Sequence, residues 1–157
     1  MHTADQRRAA AAYKRVEATR SAEQGPRRIY CSLCLKVGAM IRNNGLCQAV
    51  AFLEAGEVRR PFLEHFAQVV LAEDSPTAEL EPALDPEPRP QGSGRPSPRN
   101  ASPAKSGCAA TLADRARTAG LTDYQHLTRE ALQCAVWFQR YAQSVLKADP
   151  ADTIQGD

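Results

Sequence analysis

The sequence predicts an all-α protein, a compact bundle of about six helices interrupted by one disordered Pro-rich insertion. Three observations predict it. Apolar residues recur at the 3.6-residue period on both sides of the insertion. No stretch alternates convincingly with period two, and no hairpin turn joins two β-rich runs. Of 11 prolines in 157 residues, 8 lie between Pro76 and Pro103. The remaining chain, roughly 120 residues, is enough to bury an apolar core without disulfide or metal staples.

The first helix is expected over about Ala4 to Ala22. Thr3 and Gln6 stand at capping-box spacing, and Ala9, Tyr13 and Val16 recur along one face. Gly25 and Pro26 separate it from the second helix. There Ile29, Leu33, Val37, Met40 and Ile41 share a face, flanked by Tyr30 and Cys34. Arg28 and Arg42 lie on the opposite side, roughly 21 Å apart at helical rise. Asn43-Asn44-Gly45 breaks the period with residues that tolerate a left-handed backbone. A short third helix turns Leu46, Ala49, Val50 and Leu53 inward and stops at Gly56. Pro61 opens a fourth, with Leu63, Phe66 and Val70, or Phe62, Phe66 and Val69, facing the core.

Residues 73–107 differ in kind. The run Pro86-Glu87-Pro88-Arg89-Pro90-Gln91-Gly92-Ser93-Gly94-Arg95-Pro96 has almost no apolar side chains. It cannot bury enough surface to offset its ordering entropy, which predicts disorder. Helical spacing resumes near Ala109 with Leu112, Ala113 and Ala116, ending at Gly120. A last helix is expected from about Arg129 to Lys147, with Thr128 as its cap and Leu127 and Leu132 as a hydrophobic staple. Its apolar side is broad, which places it centrally. The expected organisation is therefore a single helical domain from residues 1–72 and 108–147, the insertion at 73–107, and a flexible tail at 148–157.

Charge is nearly balanced overall, 20 basic against 18 acidic, but residues 1–72 carry 11 Lys/Arg against 6 Asp/Glu. So modest a total excludes a lone, tight nucleic-acid binder and allows a weakly basic face that works inside an assembly. No apolar run approaches the length of a membrane span, and Met1 to Arg20 lacks the apolar core of a signal peptide. Five scattered cysteines lack a secreted-type framework and read as reduced cytoplasmic thiols.

Two stretches carry a resemblance. Tyr30-Cys31-Ser32-Leu33 leads through Ile41-Arg42-Asn43-Asn44-Gly45-Leu46 to Ala49-Val50-Ala51-Phe52-Leu53. Tyr124-Gln125-His126-Leu127-Thr128-Arg129-Glu130-Ala131-Leu132 leads to Trp137-Phe138-Gln139-Arg140-Tyr141-Ala142. Together they resemble the Cmr-type small subunit of the type III-B CRISPR RNA-targeting effector complex. That family has an Ile-Arg-x-Asn-Gly-Leu segment followed by Ala-Phe-Leu, and later Leu-Thr-x-Glu-Ala, Trp and Arg-aromatic-Ala. The resemblance covers roughly residues 9–72 and 109–147. It departs at Ala39, where the family often has proline, and in the length of the insertion, which a loop accommodates at small thermodynamic cost.

The resemblance implies a non-catalytic subunit without cofactor. Several copies would stack beside the backbone subunits that hold the guide RNA, with target RNA in the groove between. Partners would be the backbone and large subunits, further copies of this chain, guide RNA and target RNA. Because base pairing reads the sequence, such a subunit needs to hold backbone rather than read bases. The candidate RNA-binding residues are Arg27, Arg28, Lys36, Arg42, Asn44, Arg129, Arg140 and Lys147. The spacings of 11 and 7 residues put Arg129, Arg140 and Lys147 on one stripe of a continuous helix. Against these stand ordinary roles: solvation of helix faces, a helix stop at Asn43-Asn44-Gly45, and packing by Trp137 and Tyr141.

The main alternative is a small zinc-binding or redox module using Cys31 and Cys34. Its partners would have to come from Cys47, Cys108, Cys134, His65 and His126, with no second close pair. A cysteine hydrolase using His65 or His126 lacks a supporting motif. A helix-turn-helix DNA binder is disfavoured because Leu46 to Ala55 has no Arg or Lys.

Overall fold

The structure, a computed structural model, describes residues 2–72 and 107–148. Every regular element among them is helical: α1 (Ala4–Ala18), α2 (Gln24–Asn44), α3 (Leu46–Glu54), α4 (Arg60–Ala72), α5 (Cys108–Thr118) and α6 (Leu121–Ser144), with short 3-10 turns at Thr19–Ser21 and Glu57–Arg59. The expected insertion at 73–107 and tail at 148–157 lie outside the described residues, except for Gly107, which opens α5, and Ala148, which is buried.

The capping box at the start of α1 forms as expected. The Thr3 hydroxyl accepts from the Gln6 N–H at 3.2 Å, and the Gln6 side chain accepts from the Thr3 N–H at 2.9 Å. The inner face of α1, however, is Arg8, Ala12 and Val16 rather than Ala9, Tyr13 and Val16. A charged residue joins the core stripe because it has a buried partner: Arg8 Nε donates to the Glu130 carboxylate at 3.0 Å, with a second contact from another guanidinium nitrogen. On α2 the buried strip runs through Tyr30, Leu33, Cys34, Val37 and Ile41, while Ile29 and Met40 are half-buried at its edge. The helix passes unbroken through Ala39.

Gly45 ends α2 at φ +83°, a backbone conformation that only glycine adopts at little cost. It also starts α3 without a side-chain cap of its own. Tyr124 of α6 substitutes: its hydroxyl accepts the Cys47 N–H at 3.2 Å. The inward faces of α3, α4 and α5 are those the spacing predicts, and both alternative sets on α4 are buried. Phe62 and Phe66 of α4 meet Phe138 of α6 with ring centroids 5.7 Å apart, forming the centre of the core. The first turn of α5 is capped across the fold by Glu64 of α4, whose oxygens accept the N–H groups of Cys108 and Ala109 at 2.9 and 3.0 Å.

α6 differs most from expectation. It begins at Leu121, not near Arg129, with Gly120 as its N-cap. Tyr124, Leu127, Ala131 and Cys134 continue one inward stripe, so Thr128 is an interior residue rather than a cap. Its hydroxyl is buried without a hydrogen-bond partner, the pattern expected when packing overrides a local capping preference. The helix ends at Ser144, short of Lys147, which takes a left-handed φ of 52°. The Ala148 N–H then turns back to the Ala142 carbonyl at 3.0 Å.

Candidate nucleic-acid interface

α2 and α6 form the most extensive helix pair in the fold. They run antiparallel, as three points along them establish. Arg27 donates to the Leu146 carbonyl at 3.0 Å. A Cβ placed on Gly38 would meet the Ala135 Cβ at 3.6 Å, and one on Gly45 would meet the Tyr124 hydroxyl at 3.3 Å. Their outer faces consequently lie side by side. Small residues, Gly38 and Ala135, line the seam and let the helices approach.

Four of the eight candidates are arginines exposed on this pair of helices. Arg28 and Arg42 are exposed on α2, and Arg42 folds its guanidinium over Gly38, 3.6 Å from where a Cβ would stand, directly beside α6. Arg129 and Arg140 are exposed on α6, nearly superimposed in helical projection and about 16 Å apart along the axis. Lys147 does not extend their line, because the helix has ended and the chain has turned; the expected three-residue stripe is a two-residue one. Arg27 is half-buried and spent on closing the C-terminal end of α6. Lys36 stands on the other flank of α2, in the wall of an apolar groove with Ile29, Met40, Phe52 and Val58. Asn44 is exposed at the last position of α2.

Neither helix adds an exposed carboxylate beside these arginines beyond the first turn of α6. α2 contains no Asp or Glu. Of the two acidic residues in α6, Asp123 lies in the first turn and Glu130 is buried against Arg8. That pairing keeps the carboxylate next to Arg129 in sequence from offsetting the arginines' field. Helical spacing also adds residues that charge alone does not reveal. His126, Arg129, Gln133, Trp137, Arg140 and Ser144 fall on a single stripe of α6. The spacing Trp137 to Arg140 is a signal legible beforehand, since residues three apart on a helix are neighbours. The guanidinium of Arg140 indeed lies 5.4 Å from the Trp137 ring centre.

The cysteines make a different picture. Cys31 and Cys34 are both buried on α2, and burial pushes the Cys34 thiol well above its ordinary range, opposite to the activation a nucleophile or thiolate ligand needs. Among the described residues no group of three His, Cys, Asp or Glu side chains is placed to hold a metal ion. His65 instead meets the Tyr30 hydroxyl through Nδ1 at 3.0 Å. Burial holds the Tyr30 phenol far above its usual range and lowers the His65 pKa, with Arg15 lowering the latter further. The His65 ring and the Tyr30 hydroxyl thus share a structural hydrogen bond.

Comparison with known proteins agrees with this architecture. A crystal structure of a CRISPR-associated Cmr5 family protein from Thermus thermophilus matches with a TM-score of 0.66 and 28% identity, over 93% of this chain and 99% of that one. A protein of the same organism named CRISPR system Cmr subunit Cmr5 is 29% identical over 139 residues, 87% of this chain and 92% of that protein. The family model described as CRISPR-associated protein (Cas_Cmr5) matches residues 4–87. With more than half the sequence covered by that model, and the resemblance of the second and last helices matched by the full-length fold, this chain belongs to the Cas_Cmr5 family.

Proposed function

We propose that this chain is a non-catalytic small subunit of a type III-B CRISPR ribonucleoprotein, and that copies of it stack along the complex and help hold guide and target RNA for antiviral defence. The other subunits, further copies of itself and the two RNAs are its partners. The observation that carries the RNA-holding role is the α2–α6 outer surface: Arg28, Arg42, Arg129 and Arg140 on two rigid, tightly packed helices, with the neighbouring carboxylate withdrawn into the core by Arg8. Guanidinium groups on fixed helices suit phosphate contacts that position a strand without reading it. The name of the Thermus thermophilus relative, a subunit of a CRISPR system, supports membership in an assembly. The five cysteines are free thiols, which supports a reducing, cytoplasmic setting for that assembly. No helix of the described residues is long and apolar enough to cross a membrane.

The test is substitution of Arg28 and Arg42, and separately of Arg129 and Arg140, by alanine in the reconstituted complex. Target-RNA affinity should fall for both pairs, and each lost phosphate contact should flatten the log–log salt dependence by about 0.7. All four side chains are exposed, and thermal unfolding of each variant separates lost RNA contact from lost stability. Unchanged affinity and salt slope in both pairs would remove the RNA-holding role. Native mass spectrometry of a tagged pull-down tests assembly: a repeating ribonucleoprotein is expected, and elution of the chain alone would refute it.

A further inference from the structure

Trp137 is the chain's only tryptophan, and both Tyr141 and Arg140 lie against it. On one side Tyr141 stacks against it, with ring centres 5.7 Å apart and planes 23° from parallel. Tyr13 of α1 meets Tyr141 edge-on at 5.4 Å. On the indole's own side of α6, the Arg140 guanidinium lies 5.4 Å from the ring centre. The indole N–H donates to Asp5 at 2.8 Å, which fixes the ring's orientation. This row stands apart from the core aromatics: Phe62, Phe66 and Phe138 are fully buried, whereas Tyr13 is 40% exposed, Trp137 and Tyr141 are half-buried, and Arg140 is exposed.

The two edges of the row carry opposite chemistry. On the α1 side stand the carboxylates of Asp5 and Glu17, each accepting a hydrogen bond from a ring substituent: the indole N–H and the Tyr13 hydroxyl. On the α6 side stand Arg129, Gln133 and Arg140, with no exposed carboxylate beyond the first turn. A ligand that offers a flat π-surface together with an anionic group would be oriented by this asymmetry, its anion toward α6. A nucleotide has both parts. The fold has a separate groove lined by Ile29, Leu33, Met40 and Val58 that suits an apolar protein segment better than this row does.

We propose that Arg140 and Trp137 form a stacking platform for one unpaired RNA base, which lies on the guanidinium plane while its phosphate is held by Arg129 or Arg140. This deepens the RNA-holding role proposed above and rests on it. Arginine planes and aromatic rings both accept bases by stacking, and every base has a π-face, so the platform is tolerant of sequence. Arg140 is then more than a point charge: its planar group beside the indole offers a second surface on which a base can stack.

The sole tryptophan makes the test direct. The full-length chain is titrated at low ionic strength with an oligoadenylate and with an abasic oligonucleotide of the same length and charge. Binding is followed by anisotropy and Trp137 by intrinsic fluorescence. The oligoadenylate is expected to quench Trp137 and to bind at least about five-fold more tightly than the abasic strand, the lower end of the usual gain from one stacked base. R140K keeps the charge and loses the plane. It should lose that preference and the quenching while keeping the abasic affinity and the salt slope. Because Arg140 is exposed, R140K leaves the fold intact, which circular dichroism verifies. Equal binding of both strands by wild type and R140K, with R129A/R140A still weaker, overturns the platform and leaves phosphate holding in place. Binding of neither strand overturns the platform, and the RNA-holding role is then decided by the arginine pairs in the reconstituted complex.

Discussion

The buried pair of Arg8 and Glu130 ties the fold to the basic surface, and its removal can be worked through. Both side chains are about nine-tenths buried, 9% and 10% exposed, and they join the first helix to the last across 122 residues of sequence. R8A leaves a carboxylate in the core with its partner gone, a change that costs about 3–5 kcal/mol when a buried pair is broken from one side. A single domain has roughly 5–15 kcal/mol in all, so R8A should lower the melting temperature by roughly 10–25 °C. R8M/E130L removes both charges at similar volume and should be neutral or stabilising, because it also removes the desolvation cost of both ions. Urea unfolding followed by circular dichroism measures both, with an unchanged slope on denaturant to establish that only stability has moved. The two variants separate two explanations. If the pair matters because an unpaired buried charge is costly, R8A fails and R8M/E130L recovers. If the polar contact itself specifies how α1 docks, both fail. A loss of less than about 1 kcal/mol in R8A would refute the premise, since the pair would then behave as a solvated one. R8M/E130L should also keep RNA affinity, as it leaves the exposed arginines and the local net charge as they were.

Glu64 caps α5 from α4, so E64A should cost about 1–2 kcal/mol and raise hydrogen exchange selectively in the first turn of α5. A Cβ on Gly107 would stand 2.8 Å from a Glu64 oxygen; G107A should therefore destabilise wild type more than E64A, a coupling that a double-mutant cycle reads directly. His65 has a pKa lowered in the folded state by burial and by Arg15. Its contribution is present above the unfolded value of 6.5 and is lost as pH falls from there toward the lower folded value, because the unfolded chain takes up the proton first. H65N, which keeps a hydrogen-bonding group near Tyr30, should flatten the stability profile in thermal unfolding as pH falls below 6.5, and an unchanged profile would contradict it.

Local signals are legible in the sequence and long-range ones are not. The capping box at Thr3 and Gln6, the stop at Gly45 and the inward faces of α3, α4 and α5 depend on residues within a turn or two of one another, and each forms as the spacing predicts. The misplaced features involve partners far along the chain. Arg8 takes a core position because of Glu130. Thr128 looks like a cap, but its segment is already helical because Tyr124 and Leu127 have a neighbour to pack on; Tyr124 in turn caps α3 from 77 residues away. Lys147 leaves the helix where Arg27, 119 residues before Leu146, binds the Leu146 carbonyl. Within the candidate interface, Arg129 and Arg140 share one stripe as expected, because 11 residues is close to three turns. Which basic residues share a surface with them is fixed by the packing of α2 on α6.

The Pro-rich segment at 73–106 interrupts the sequence of the described fold. The segment follows the end of α4 and returns at Gly107, where the Glu64 cap fixes the first turn of α5. α5 packs chiefly on α4 and α3, with only a minor contact to α6. The arginines sit on the opposite pair of helices, anchored to each other by Gly38 against Ala135 and to α1 by the buried ion pair. Variation in the length of 73–106 therefore acts on the cost of closing a loop between α4 and α5, which grows only slowly with length. Shortening that segment should leave RNA affinity unchanged in the reconstituted complex, whereas widening the seam with G38L should weaken it even though Gly38 itself carries no charge. A loss of affinity in G38L at unchanged net charge would show that the relative placement of the two helices, and not the number of cations, sets the strength of RNA holding.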